Sequence, residues 1–359
     1  MTWGNFRLHA RLNFNQLPIE KIYADIAQID AVKNSWQITN KLLPQTLDRL
    51  NRSVIVTSTG SSNRIEGNLL KDAQVESLYK NLHTKKFKTR DEQEVAGYLE
   101  CLELVFNNYK DININESFIL KLHHDMLIYS EKDMRHKGNY KFNSNRVEAR
   151  DPTGKVVGII FDPTPPFLVK KEMQELIHWY NWAVDAEIKH PLILIANFIF
   201  EYLAIHPFQD GNGRTSRLLT NLMLQQHGYL FTNIVSHEKI IEAKKLDYYL
   251  ALNKTQNTWK TEKEDISPWL LFFLNIVKYQ ANQALRIIDG DNIEYLLSEK
   301  QLALWQWANE INADFSRKDA IAALGFPTRT IESIIQKLFE LNHIERIGQG
   351  RATRYRLCK

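Results

Sequence analysis

The sequence predicts a mainly α-helical protein with one small β-hairpin and a separate C-terminal unit ending in two short strands. Three observations carry this. Apolar residues recur at helical spacing along most of the chain. The one long irregular stretch, 138–166, is rich in Gly, Asn, Asp and Pro around a single apolar run, KVVGIIF. Beyond Leu297, helical stretches give way to the strand-like runs HIERI and TRYRL, joined by GQGRA.

Over residues 20–50, Ile22, Ile26, Ile29, Val32, Trp36, Ile38 and Leu42 mark a helical N-terminal region. Similar spacing predicts helices over 94–107, 116–130, 170–185 and 190–205. The last of these is the most apolar, but Asn197 and Glu201 interrupt it and it falls short of the about 20 apolar residues that cross a bilayer, so it reads as a buried core helix. An apolar helix after Arg217 ends near Gly228, and a further pair spans 240–253 and 268–288. IDGDN then reads as a linker or helix stop. In the tail, 301–310 is helical, Ser316 caps a second helix to Leu324, GFPTRT turns, and a third helix runs to about Leu341. The expected divisions are a helical region over 1–110, a core over 111–288 and a tail domain over 297–359.

With 359 residues, 44% hydrophobic and 25% charged, the composition excludes collagen, a mucin-like stalk and wholesale disorder. A balance of 46 basic against 42 acidic residues does not mark the whole chain as a nucleic-acid binder, although it leaves a local basic patch open. Cys101 and Cys358 are too few for a disulfide framework or a thiolate metal site and fit a reducing compartment. The N-terminus MTWGNFRLHARLNFN lacks the apolar run of a signal peptide. The expectation is a cytoplasmic protein that does not bind membranes.

The segment that carries chemistry is His206-Pro207-Phe208-Gln209-Asp210-Gly211-Asn212-Gly213-Arg214-Thr215-Ser216-Arg217, set between the buried helix and the next one. Pro207 stops the first helix, and Gly211 and Gly213 permit a tight turn. Successive N–H groups of such a turn, at the N-terminus of the following helix, form an anion nest suited to phosphate. Arg214 and Arg217 lie three apart and reach one side of that nest with fork-shaped donors, which points to a polyphosphate. Asp210 can hold Mg²⁺, an ion that takes one or two carboxylates together with substrate phosphates. His206 is the one group in the segment able to accept a proton near neutral pH.

This segment resembles the HxFx(D/E)GNGRxxR motif of the Fic family of nucleotidyltransferases at every specified position. The resemblance implies a Fic-fold helical core, ATP with Mg²⁺ as cofactor, and transfer of AMP to a hydroxyl of a target protein or of the protein itself. It implies that His206 deprotonates a Tyr, Ser or Thr hydroxyl and that Asp210 holds the metal. The phosphates would lie on Gly211, Asn212, Gly213, Arg214, Thr215 and Ser216, with the γ-phosphate on Arg217 and Phe208 as a buried anchor of the loop. The alternatives are a DNA-binding regulator in which the domain senses nucleotide, and a hydrolase that removes AMP.

A second match concerns control. Ser62, Glu66 and Gly67 fit the (S/T)xxxE(G/N) inhibitory motif of Fic proteins, and the likeness implies that Glu66 pairs with Arg217 and takes the donors the γ-phosphate needs. By the same likeness, 155–166 is a flap against which a target segment adds as a strand, and Tyr249 falls where a nucleotide-facing tyrosine sits. His123, His124 and His190 show no ligand spacing, so no zinc site is expected. The tail resembles a winged helix-turn-helix domain. Its wing carries Arg346, Arg351, Arg354, Arg356 and Lys359, and Arg329 and Lys337 lie on the presumed recognition helix, which leaves DNA and protein both open as partners. A homodimer is also left open.

Overall fold

A computed structural model of the chain describes residues 7–13, 17–35, 44–82, 87–145, 147–150, 156–288, 297–311, 313–340, 343–348, 350 and 353–358. They fall into two compact units, Met1–Asn40 with Asp48–Leu285, and Lys41–Leu47 with Arg286–Lys359. From the N-terminus run α1 (Arg7–Ala10), α2 (Ile19–Ser35), α3 (Pro44–Ile65), α4 (Asp72–Lys80), α5 (Arg90–Asn108) and α6 (Glu116–Met126). A hairpin of β1 (Val147–Arg150) and β2 (Val156–Phe161) follows, then α7 (Pro166–Asp185), α8 (Pro191–Ile205), α9 (Asn212–Gln226), α10 (His237–Ala243), α11 (Lys245–Gln256) and α12 (Ser267–Ile288).

The first unit is organised around α8, whose residues from Leu192 to Ile205 are all buried. A helix apolar on every side belongs at the centre of a helical layer, and α8 packs on both α7 and α9. The two polar residues that interrupt it are its anchors to the N-terminal segment. Arg11 donates from Nε to Asn197 Oδ1 at 2.6 Å and from Nη1 to Glu201 Oε2 at 2.7 Å and Glu264 Oε1 at 2.9 Å. Arg7 also pairs with Glu201 and Glu264, and Trp259 Nε1 donates to Glu201 Oε2 at 3.1 Å. Burial alone would raise the Glu201 pKa, yet Arg11 and Arg7 hold it below the usual carboxylate value.

Two further helices carry residues to the start of α9. Thr89 and Glu92 close a capping box at α5, and the Asn115 side chain accepts from Phe118 N at 2.8 Å at α6. A side chain at Gly97 would run into the Met126 carbonyl, so this glycine allows α5 and α6 to approach closely. The hairpin is antiparallel, with Val147 opposite Phe161 and Arg150 opposite Val156, and the KVVGIIF run supplies β2. Its tip at 151–155 lies outside the described residues.

The sequence expectations differ from the structure in several places, among them that α3 continues past residue 50 to Ile65. The helix expected over 116–130 stops at Met126. The one expected over 240–253 is two helices, because Lys244 leaves helical dihedrals at φ −114° and ψ 32°. The unexpected α4 buries only Val75 and Leu78, too few apolar residues to establish a period. Trp36, Ile38, Leu42 and residues 289–292 of the linker lie outside the described residues.

The second unit has α13 (Glu299–Ile311), α14 (Arg317–Leu324) and α15 (Thr328–Glu340), then antiparallel β3 (Ile344–Ile347) and β4 (Arg354–Leu357). Ser316 and Asp319 form a capping box at α14, and Gly325 ends it at φ 67°. Leu304, Phe315, Ile331, Leu338 and Ile344 form its core. Arg356 grips both carboxylate oxygens of Asp314 at 2.7 and 2.9 Å, and Arg354 donates to the Asp314 carbonyl at 3.2 Å. Arg351 and Lys359 lie outside the described residues. Among the described residues, no helix is long and apolar enough to cross a membrane.

Candidate active site

The site forms where α8 ends and α9 begins. His206 leaves α8 in the left-handed region at φ 52°, donating its N–H to Tyr202 O at 2.9 Å. For a residue with a side chain, that conformation costs about 1–2 kcal/mol and persists where its surroundings fix it. His206 Nδ1 lies 3.4 Å from the Leu203 carbonyl, which can only accept, so Nδ1 carries the proton and Nε2 presents a lone pair. Burial, then the positive charge of Lys141, lowers the His206 pKa to about 4. The imidazole is therefore neutral at physiological pH and in the form that accepts a proton.

Phe208 is fully buried and stacks face to face on His123, with centroids 3.7 Å apart. Gly138 N donates to His123 Nδ1 at 2.9 Å, which leaves His123 Nε2–H to donate to the Asp210 carbonyl at 3.0 Å. Burial holds His123 neutral, with its pKa lowered to about 4. His123 is thus a strut of the loop. His124 contacts Asp125 and His190 contacts Asp30.

Gly211 adopts φ 81° and caps α9, whose first backbone bond runs from Thr215 N to Gly211 O at 2.9 Å. The N–H groups of Asn212, Gly213 and Arg214 consequently have no intrahelical acceptor, and they stand at the positive end of the helix dipole. The side chains of this turn are otherwise engaged. Asn212 accepts from Phe208 N and donates to Phe208 O, both at 2.8 Å, while Thr215 and Ser216 hydroxyls donate to the Gly211 and Gly213 carbonyls at 2.9 and 2.8 Å. Asn212 therefore offers an anion its backbone N–H and not its side chain. Thr215 has both its N–H and its hydroxyl on Gly211 O and Ser216 has its hydroxyl on Gly213 O, so the expected phosphate contacts of Thr215 and Ser216 find no free donor in this arrangement.

Arg214 is buried, 3.3 Å from Glu94 Oε2 and 3.6 Å from Asp210 Oδ1, and its Nε and Nη1 have no hydrogen-bond acceptor. Arg90 Nη2 is 3.6 Å from Asp210 Oδ2. Burial raises the Asp210 pKa, but Arg214, the Gly211 N–H and Arg90 outweigh it and keep the carboxylate ionised. With its side chain 41% exposed, Asp210 is a single open carboxylate beside the helix N-terminus. That donor set fits Mg²⁺ arriving with phosphate oxygens. Among the described residues, no cluster of three His, Cys, Asp or Glu side chains could hold a metal alone.

The structure brings the two distant motifs together. Arg217 donates from Nη2 to Glu66 Oε1 at 2.7 Å, from Nε to Ser62 Oγ at 2.8 Å and from Nη2 to Ser62 O at 3.0 Å. Glu66 lies at the C-terminal end of α3, before Gly67 at φ 98°, and a side chain built on Gly213 would strike its carboxylate. Glu66 therefore lies directly against the start of α9. Tyr249 packs edge-on against Tyr248 with ring centroids 5.2 Å apart, and burial, then the Glu66 charge, push its phenol pKa up. Sequence reasoning missed Arg90, Glu94, His123 as a strut, and Lys141. A histidine among Ile119, Leu122 and Met126 was the one available signal, for His123.

Residues 113–224 match the profile of the Fic/DOC family. The protein adenylyltransferase fic-1 of Caenorhabditis elegans is 30% identical over 173 residues, which cover 46% of this chain and 30% of that protein. The protein adenylyltransferase Fic of Nematostella vectensis is 27% identical over 216 residues, covering 59% and 44%. The chain thus spans less than half the length of these curated relatives. A Fic family protein of known structure from Desulfovibrio desulfuricans G20 superposes with a TM-score of 0.61 over 94% of this chain and 96% of that one, at 23% identity. Fic-1 (aa134–508) from C. elegans gives 0.58 over 75% and 74%, at 20% identity, so both likenesses show the fold. The intact motif, the helical core around α8 and these matches together make residues 113–224 a domain of the Fic/DOC family.

Proposed function

We propose that the chain is a protein adenylyltransferase that moves AMP from ATP to a protein hydroxyl and is restrained by Glu66. One observation carries the reading: a neutral histidine with a bare Nε2 opens the loop that leads into a helix N-terminus with three N–H groups lacking an intrahelical acceptor, an open carboxylate and two buried arginines. The helix N-terminus and Arg214 bind the phosphates, and Arg217 binds the outermost one. As the acceptor oxygen attacks the α-phosphorus, its proton passes to His206 Nε2 and the bond to pyrophosphate breaks. Mg²⁺, held by Asp210 with phosphate oxygens, would neutralise charge on the polyphosphate. The naming of several relatives as protein adenylyltransferases supports the reading.

Glu66 competes for the outermost phosphate because it holds Arg217 and lies over Gly213. Removing its carboxylate leaves Arg217 fixed by Ser62 and ready for an anion. The deciding experiment incubates the Glu66→Gly form with a cell lysate, ATP and Mg²⁺ and looks by mass spectrometry for AMP adducts on Tyr, Ser or Thr. Their absence from both lysate proteins and the variant itself would overturn the proposal.

The second unit is proposed as a protein-docking module of winged-helix type. The engagement of Arg356 by Asp314 favours this over DNA reading, since it withdraws charge that phosphates would need.

A further inference from the structure

Lys141 belongs to none of the motifs, yet it is buried, with 3% of its surface exposed, at the back of the His206 loop. Its backbone N–H donates to the Pro207 carbonyl at 2.8 Å. Its ammonium donates to the Ile205 carbonyl at 3.3 Å and to Asn145 Oδ1 at 2.8 Å. Asn145 in turn donates from Nδ2 to the Phe208 carbonyl at 3.0 Å. The carbonyls on either side of His206, and the one beyond, are thus all held by this short segment. Ile205 is the last residue of α8, where the orphan carbonyls and the negative end of the helix dipole favour a cation.

We propose that Lys141, supported by Asn145, is a positioning residue that locks the His206 peptide in its left-handed conformation and so aims Nε2 at the acceptor hydroxyl. A strained histidine needs such a clamp. Asn212 fixes Phe208 from the α9 side, but it reaches neither Ile205 nor Pro207. The charged groups that act on His206 are Lys141, Glu66 and Asp210, while Glu172 acts on Lys141. A bare ammonium in this place is costly unless its donors are filled, and two of them are.

The inference rests on the transferase reading above, and its test has one arm that does not. In the Glu66→Gly background, Lys141→Met should lower kcat for AMP transfer on the order of 10²-fold through misplacement of the base, with KM for ATP changed less than about twofold. Asn145→Ala, at a more exposed position and so less disruptive to folding, should move kcat in the same direction by a smaller factor. The second arm follows the ring nitrogens of His206 by ¹⁵N NMR in otherwise wild-type protein, assigned by loss of the signal in His206→Gln. Wild type should show the Nδ1–H tautomer, and Lys141→Met a mixture of both tautomers. An unchanged kcat, a change confined to KM, or an unchanged tautomer in Lys141→Met would overturn the proposal. A Glu66→Gly parent without any transfer activity would sink the transferase reading and leave the tautomer measurement to decide the clamp.

Discussion

Glu66 Oε1 lies 2.7 Å from Arg217 Nη2, and it reaches this place because Gly213 has no side chain to block it. The same arginine is tied by Ser62, four residues before Glu66, so both specified side chains of one short motif meet the last arginine of the other. One ion pair thereby links the end of α3 to the first turn of α9.

The base is the first point to test. In the Glu66→Gly background, His206→Ala should lower AMP transfer roughly 10²- to 10⁴-fold, the usual worth of a general base, with ATP affinity nearly constant. Initial rates and calorimetric binding separate the two. Transfer retained by the alanine variant would remove His206 from the mechanism.

The pH dependence follows from the sign of the His206 shift. Burial lowers its pKa from 6.5 to about 4, so the neutral, proton-accepting form is present above that value and is lost as pH falls through about 4. Transfer by Glu66→Gly should therefore persist at pH 5.5, where an ordinary histidine is mostly protonated. A rate that falls by half near pH 6.5 would contradict the buried, neutral base.

The N-terminal anchor makes a stability prediction. Arg11→Met leaves Glu201 buried with fewer cationic partners, which should cost about 3 kcal/mol and lower the urea midpoint of the first unit. Glu201→Gln added to Arg11→Met should recover part of that loss, because the charge left behind is gone. Identical midpoints for wild type and Arg11→Met would show that the network contributes nothing.

These partners explain how much the sequence disclosed. The loop from His206 to Arg217 was legible because its chemistry is contiguous, and α8 because its apolar run has no polar face. The pairing of Glu66 with Arg217 was reached through the likeness of two motifs, since nothing in the spacing of residues 151 apart predicts contact. Arg11 with Glu201, and Lys141 with Ile205, were illegible for the same reason. Arg and Lys usually lie on surfaces, and only the fold shows that Arg11 and Lys141 are buried. Asn197 and Glu201 looked like interruptions of an apolar helix, whereas they are its points of attachment.

The second unit yields a prediction about charge. Because Asp314 holds Arg356 bidentately, full-length protein should fail to retard DNA even in a low-salt gel. Asp314→Ala, which removes the bidentate partner of Arg356 and leaves Glu345 at 3.7 Å, should increase retardation. A clear shift by the wild-type chain would favour DNA over protein as the partner of this unit.

The most direct test of autoinhibition compares incorporation from α-labelled ATP by wild type, Glu66→Gly, Arg217→Ala and the double variant at equal folded concentration. If Glu66 restrains the enzyme by holding Arg217, Glu66→Gly should raise labelling roughly 10- to 100-fold, the scale of a typical coupling between sites, and both variants lacking Arg217 should stay low. Equal labelling by wild type and Glu66→Gly, or strong labelling by the double variant, would contradict it.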